Sequence, residues 1–143
     1  MIDFKADLEP EQMLEHGIFG GSYFEMATDN DLLLMRPEIV TLALSNNGKF
    51  DKKKNFYKAK AGQHYDEWMR KGWIFEEDPL GWFHWYCRYS SGRRHERDAH
   101  QIARYQNYRQ RWGSFAHSQV RDRGDASAVV KQGLLQWGIN WAA

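Results

Sequence analysis

Nine arginines, no lysine and three acids stand between residues 88 and 123, a local charge of +6, with His95, His100 and His117 among them. A guanidinium forks onto a phosphate or carboxylate and lies flat on a ring, which an ammonium does not do. This choice of cation therefore points to phosphate recognition or to ring-stacked ion pairs. On a helix, Arg97, Gln101, Arg104, Tyr108 and Arg111 recur at spacings of four and three and share one polar stripe, while Ile102, Tyr105 and Trp112 lie on another side, available to a core. With Arg88, Arg93 and Arg94 just upstream, the stripe offers cations beside rings, a combination that suits the phosphates and unpaired bases of single-stranded or duplex nucleic acid. An arginine-rich face that meets only solvent or the protein's own acids has the same pattern. No zinc-finger, RNP or glycine-rich phosphate motif accompanies it.

Catalytic chemistry has fewer candidates. Asp98, His84 and His95 are the acids and bases available to a small enzyme that would hold a nucleotide or modified base, with the arginines as phosphate clamp. His84 and Cys87, three apart, make half of a metal or nucleophilic site, but the same spacing in an aromatic helix describes a buried thiol and a hydrogen-bonded imidazole. His95 and His100 are five apart and diverge by about 140° around a helix, so neither a metal nor another cofactor is expected. Glu76, Glu77 and Asp78 are a run of acids, of which Asp78 is expected to cap a helix. Gly20 and Gly21 lack the lysine and the strand–turn–helix setting of a phosphate loop.

The elements that must position these residues are helical, because Pro and Gly punctuate the chain and no alternating strand pattern appears between them. The expected fold is all-α, one compact domain over 1–143 with about six helices and an aromatic-rich core. Helices are predicted over 11–16, with Pro10 in the first turn and Gly17 past the end, from Pro37 to the Asn46-Asn47-Gly48 stop, and over 62–71, closed by Gly72. The 62–71 helix would bury Tyr65, Trp68 and Met69, with Trp73 and Ile74 behind its cap. Asp78-Pro79 announces the next, over 82–89, where Trp82, Trp85, Tyr86 and Tyr89 have core spacing. A long helix over 97–112 ends at Gly113, and Ser127 caps a closing helix carrying Val129, Val130, Leu134 and Trp137. Residues 32–35 fit a helical turn or an approach segment.

The net charge of +1 hides a division. Residues 1–48 hold two basic and nine acidic residues, and residues 49–143 hold 18 basic and 10 acidic. The chain thus joins an acidic third to a Trp/Arg-rich part, 61–143, through a connection, 49–60, with six lysines, one acid and Phe50, Phe56 and Tyr57 interleaved. That connection reads as a solvated loop tethered by its rings, or as an extension of the positive track. A lone cysteine, Cys87, cannot form an intramolecular disulfide, and neither a secretory leader nor an apolar run of spanning length is visible. A cytoplasmic protein with no membrane partner is expected, or one of the nucleus or host cytoplasm if its source is viral.

The string DPLGWFHWYCRYSSGRR, preceded by KGWI and followed by DAHQIARY, resembles a pattern of uncharacterised small proteins of viruses, bacteria and some eukaryotes, D-P-x-G-W-F-x-W-Y-C-R-Y-x-x-G-R-R with a downstream Q-I-x-R-W. GIFGGSYF is similar to a Gly-Gly-aromatic element of the same proteins. The resemblance spans about half the chain, implies kinship of fold and carries no activity. It marks Gly81, Trp82, Trp85, Tyr86, Arg88, Tyr89, Arg93, Arg94, Gln101 and Arg104 as shared positions, and departs from the pattern at Tyr105, where the pattern has Trp.

The residues support three readings. The first is a nucleic-acid-binding module, phage- or virus-encoded in one version, that uses Arg88, Arg93, Arg94, Arg97, Gln101, Arg104, Tyr108 and Arg111. The second is the small nucleotide enzyme. The third is an interaction or host-takeover protein that offers its acidic third to a protein partner and keeps the arginines in internal salt bridges.

Overall fold

The computed structural model describes residues 4–61 and 75–140. Among these residues the chain forms five α-helices and no strand: α1 (Pro10–His16), α2 (Pro37–Leu44), α3 (Trp82–Ser90), α4 (Asp98–Arg123) and α5 (Ala128–Leu135). The expected all-α class and aromatic-rich core are both present. The sixth helix of the sequence reading, over 62–71 with its cap at Gly72, lies outside the described residues.

Local chemistry explains most of the boundaries. α1 begins with proline and a reciprocal capping box between Glu9 and Gln12, and ends at Gly17. In α5 the Ser127 hydroxyl accepts from the Val130 amide at 3.3 Å. α2 stops where Ser45 Oγ and Asn46 Nδ2 donate back to the Leu42 carbonyl.

α3 is the centre of the molecule, and every side chain from Trp82 to Tyr89 is buried. α1 packs on α2 and α3, and α4 lies against α3 and α5. From the extended N-terminal segment Phe4 enters the cluster, with its ring 4.9–6.1 Å from those of Trp85, Tyr86, Tyr89 and Tyr105. A core built of such rings has to satisfy their polar edges. Trp82 Nε1 donates to the Gln101 carbonyl and Trp85 Nε1 to Asp98 Oδ1. The Tyr86 hydroxyl accepts from the Ala6 amide and donates to the Leu8 carbonyl.

Three local expectations are corrected. Asp78 does not cap α3; the helix starts four residues later behind Gly81, and the Asp78 carboxylate is turned to arginines instead. α4 does not stop at Gly113 but continues to Arg123 and closes on Gly124 in the left-handed region. One glycine costs a helix only about 1 kcal/mol, and the fully buried Ala116 anchors the turns beyond it. In α5 Leu134 is buried, whereas Val129 is exposed and does not belong to the apolar stripe.

Candidate functional site

The eight residues of the expected nucleic-acid face do not form one surface. Arg88, 6% exposed, is enclosed: its guanidinium donates to the carbonyls of Leu33, Glu77, Asn30 and Asp31 and to Asp78 Oδ1, so each of its donor nitrogens is used. Arg93 Nη2 reaches both oxygens of Asp78, at 2.6 and 2.5 Å. Gln101 is buried, and its side-chain oxygen accepts from Arg104 at 2.9 Å. Arg104 is half-buried with its guanidinium over the Trp137 ring, and desolvation lowers its pKa. Tyr108 stacks on Trp137 at 4.7 Å, and loss of solvent pushes its hydroxyl up to about 12. A Cβ on Gly133 would stand 2.6 Å from the Tyr108 oxygen, so α5 approaches that ring through a glycine.

Arg94, Arg97 and Arg111 are exposed, and each is seated on a ring. Arg94 lies 3.8 Å above Tyr89, Arg97 4.3 Å above Phe75 and Arg111 5.4 Å above Trp112. The stripe read from the spacing therefore splits. Arg97 and Arg111 stay outside, whereas Gln101, Arg104 and Tyr108 turn toward the protein.

Among the catalytic candidates, Asp98 has both oxygens occupied, by the Trp85 indole and by the His95 amide at 2.9 Å. His84 is fully buried; Nδ1 accepts from the Leu80 amide, so Nε2 donates to the Asp31 carbonyl at 2.8 Å. Burial, reinforced by the Arg88 charge, lowers its pKa to about 4. His95 is half-buried at the turn before α4, with Nε2 4.0 Å from Glu77 Oε1. Burial pushes the Cys87 thiol well above its usual range.

The acidic third neutralises other cations than those of the expected face. Glu11 pairs with Arg36 at 2.6 Å, Asp7 with Arg109 at 2.9 Å and Glu9 with Lys5 at 3.1 Å. Arg36 also donates to the Ser90 carbonyl, and so clasps α1 to the end of α3.

The lysine connection presents a different arrangement. Among the described residues, Lys49, Lys52, Lys53, Lys54 and Lys58 have no carboxylate within 4.0 Å. Asp51, the exposed acid in their midst, accepts from the Lys53 amide and caps the turn Lys52–Lys54. Nor is the segment tethered by its rings alone. The Asp51 amide donates to the Gly20 carbonyl and the Phe56 amide to that of Gly17. The buried Asn55 accepts from the Gly20 amide at 2.7 Å and donates to the Ala59 carbonyl. From α5 Gln132 accepts from the Tyr57 amide, and Gln136 just past its end donates to the Ala61 carbonyl. At Gly17, φ is +109°, and a Cβ would fall 2.1 Å from the Lys54 carbonyl oxygen; only glycine fits there. Phe50 and Phe56 stay 43% and 45% exposed on this platform.

Sequence reasoning passed over Asn55, Gln132 and Gln136, and the one available signal was the pair of amides four apart, flanking Gly133, Leu134 and Leu135. No family model, curated protein or solved structure matches the chain. No helix among the described residues is long and apolar enough to cross a membrane.

Proposed function

We propose that the chain is a nucleic-acid-binding module whose main contact surface is the lysine platform 49–60, with the ring-seated arginines Arg94, Arg97 and Arg111 as further phosphate ligands. The observation that carries this reading is the contrast between two sets of cations. Arg88 is taken up by Asp78 and four backbone carbonyls and Arg93 by Asp78, whereas Lys49, Lys52, Lys53, Lys54 and Lys58 have no carboxylate within 4.0 Å among the described residues, with Lys58 Nζ donating to the Lys53 carbonyl.

Backbone hydrogen bonds already fix the platform, so a polyanion would bind without first ordering the loop. Phe50 and Phe56, exposed among the lysines, are surfaces on which unpaired bases stack, which favours single strands over duplex. Binding rather than catalysis is the supported role, because Asp98 and both ring nitrogens of His84 already hold partners within the protein.

Fluorescence anisotropy with a labelled single-stranded oligonucleotide and its duplex, across a range of salt, tests the proposal. The single strand is expected to bind more tightly, with affinity falling steeply as salt rises. No binding to either, or binding indifferent to salt, would overturn it.

A further inference from the structure

We propose that Glu77, His95 and Glu96 form a site for one divalent transition-metal ion. One ligand atom from each of the three lies within 4.8 Å of the others. A second feature lies at the same place: Glu77 Oε2 is out of contact with solvent and has no hydrogen-bond partner, as is also true of Arg93 Nε, although the Glu77 side chain as a whole is 31% exposed. A carboxylate oxygen removed from water without a donor is costly, and a bound cation would relieve that cost. Pairing with His95 does not, since that contact is 4.0 Å long and involves the other oxygen, Oε1.

Both arms of the site are held by the fold. Arg88 Nη1 donates to the Glu77 carbonyl, and the Asp78 amide closes the turn onto the Phe75 carbonyl at 3.1 Å. On the other side the His95 amide is bound by Asp98 Oδ2, and the Asp98 amide returns to the His95 carbonyl. With bonds of about 2.0–2.2 Å a zinc ion draws its ligand atoms to roughly 3.4 Å apart; the exposed Glu96 side chain approaches by rotation, and the half-buried Glu77 and His95 side chains must also close their 4.0 Å separation.

An imidazole beside two carboxylates favours an ion of borderline hardness such as Zn2+ over Mg2+ or Ca2+, which take oxygen ligands. The two carboxylate charges match the ion's charge. One hydrogen bond must change on loading. The Arg97 amide now donates to His95 Nδ1 at 3.2 Å, which leaves the ring proton on Nε2. Coordination through Nε2 moves that proton to Nδ1, and the Arg97 amide loses its acceptor.

Chelator-stripped full-length protein titrated with Zn2+ against a chromophoric indicator tests the site. One equivalent is expected to bind with a dissociation constant in the micromolar range or below. Glu77→Gln, His95→Asn and the exposed Glu96→Gln should each weaken binding at least tenfold, and His16→Asn should leave it unchanged. In amide NMR spectra the Arg97 resonance should shift on titration. The metal-free Glu77→Gln protein should melt no lower than wild type, because the carboxamide replaces a carboxylate whose Oε2 has no hydrogen-bond partner. Absence of uptake at 100-fold excess over protein, equal binding by the three variants, or ready displacement by millimolar Ca2+ would overturn the proposal.

Discussion

Asp78 and Arg93 form a closed ion pair: one guanidinium nitrogen lies 2.6 and 2.5 Å from the two carboxylate oxygens, and the carboxylate is 3% exposed. Arg88 meets the same carboxylate at 3.0 Å, so a single buried acid pairs with two arginines, one in the last turn of α3 and one three residues beyond it. Replacing the pairing partner of a buried charge costs about 3–5 kcal/mol, because the remaining charge is left in a poor solvent. Asp78→Ala, which strands two guanidiniums, is expected at the upper end of that range in urea denaturation, and Asp78→Asn, which keeps one acceptor, nearer the lower end. A loss below about 1 kcal/mol for Asp78→Ala would mean that the arginines relax into water.

His84 ties stability to acid. Its folded pKa of about 4 lies below the ordinary 6.5, so between those values the unfolded chain binds a proton that the folded chain refuses. Its contribution is fully present above pH 6.5 and is lost as pH falls toward 4, by roughly 3 kcal/mol in all. Denaturant titrations at intervals from pH 7 to pH 4 should show this decline, with a shallower one in His84→Gln, which can still reach the Asp31 carbonyl. Parallel slopes for the two proteins would remove His84 as the cause.

Gly17 and Asn55 hold the lysine platform from beneath. A methyl group at Gly17 collides with the Lys54 carbonyl in a backbone region hostile to L side chains, and Asn55→Ala strands the Gly20 amide and the Ala59 carbonyl. Either change should release the segment. Hydrogen exchange is expected to speed up at the Asp51 and Phe56 amides, whose acceptors are Gly20 and Gly17, while the α3 amides stay protected. Unchanged protection at Asp51 and Phe56 would contradict the proposed tethering.

What could be read from the sequence was local. The Ser127 cap, the Pro10 start and Gly17 end of α1, and the ring spacing at 82, 85, 86 and 89 depend on neighbours within a turn or two, and all appear as expected. Asp78 beside Pro79 has the local form of a cap, but two arginines 10 and 15 residues away bind its carboxylate more strongly than helix amides do. The polar stripe of α4 failed for a related reason. Spacing places Gln101, Arg104 and Tyr108 with Arg97 and Arg111, yet Trp137 takes Arg104 and Tyr108 inward, and Gln101 follows with its side chain on Arg104 and its carbonyl on the Trp82 indole. The role of 49–60 was hidden because its anchors, Gly17 and Gly20, lie more than 30 residues earlier in the chain.

The central claim is that the lysine platform, and not the arginines gathered on Asp78, meets phosphate. The slope of log affinity for a single strand against log salt measures this directly, since each neutralised phosphate contributes about −0.7. For about six contacts the wild-type slope should be near −4. The triple variant Lys52→Ala, Lys53→Ala, Lys54→Ala should be shallower by about 2, with Arg93→Gln at the wild-type slope. A lysine variant with the wild-type slope, beside an Arg93→Gln protein whose slope has fallen, would contradict the account.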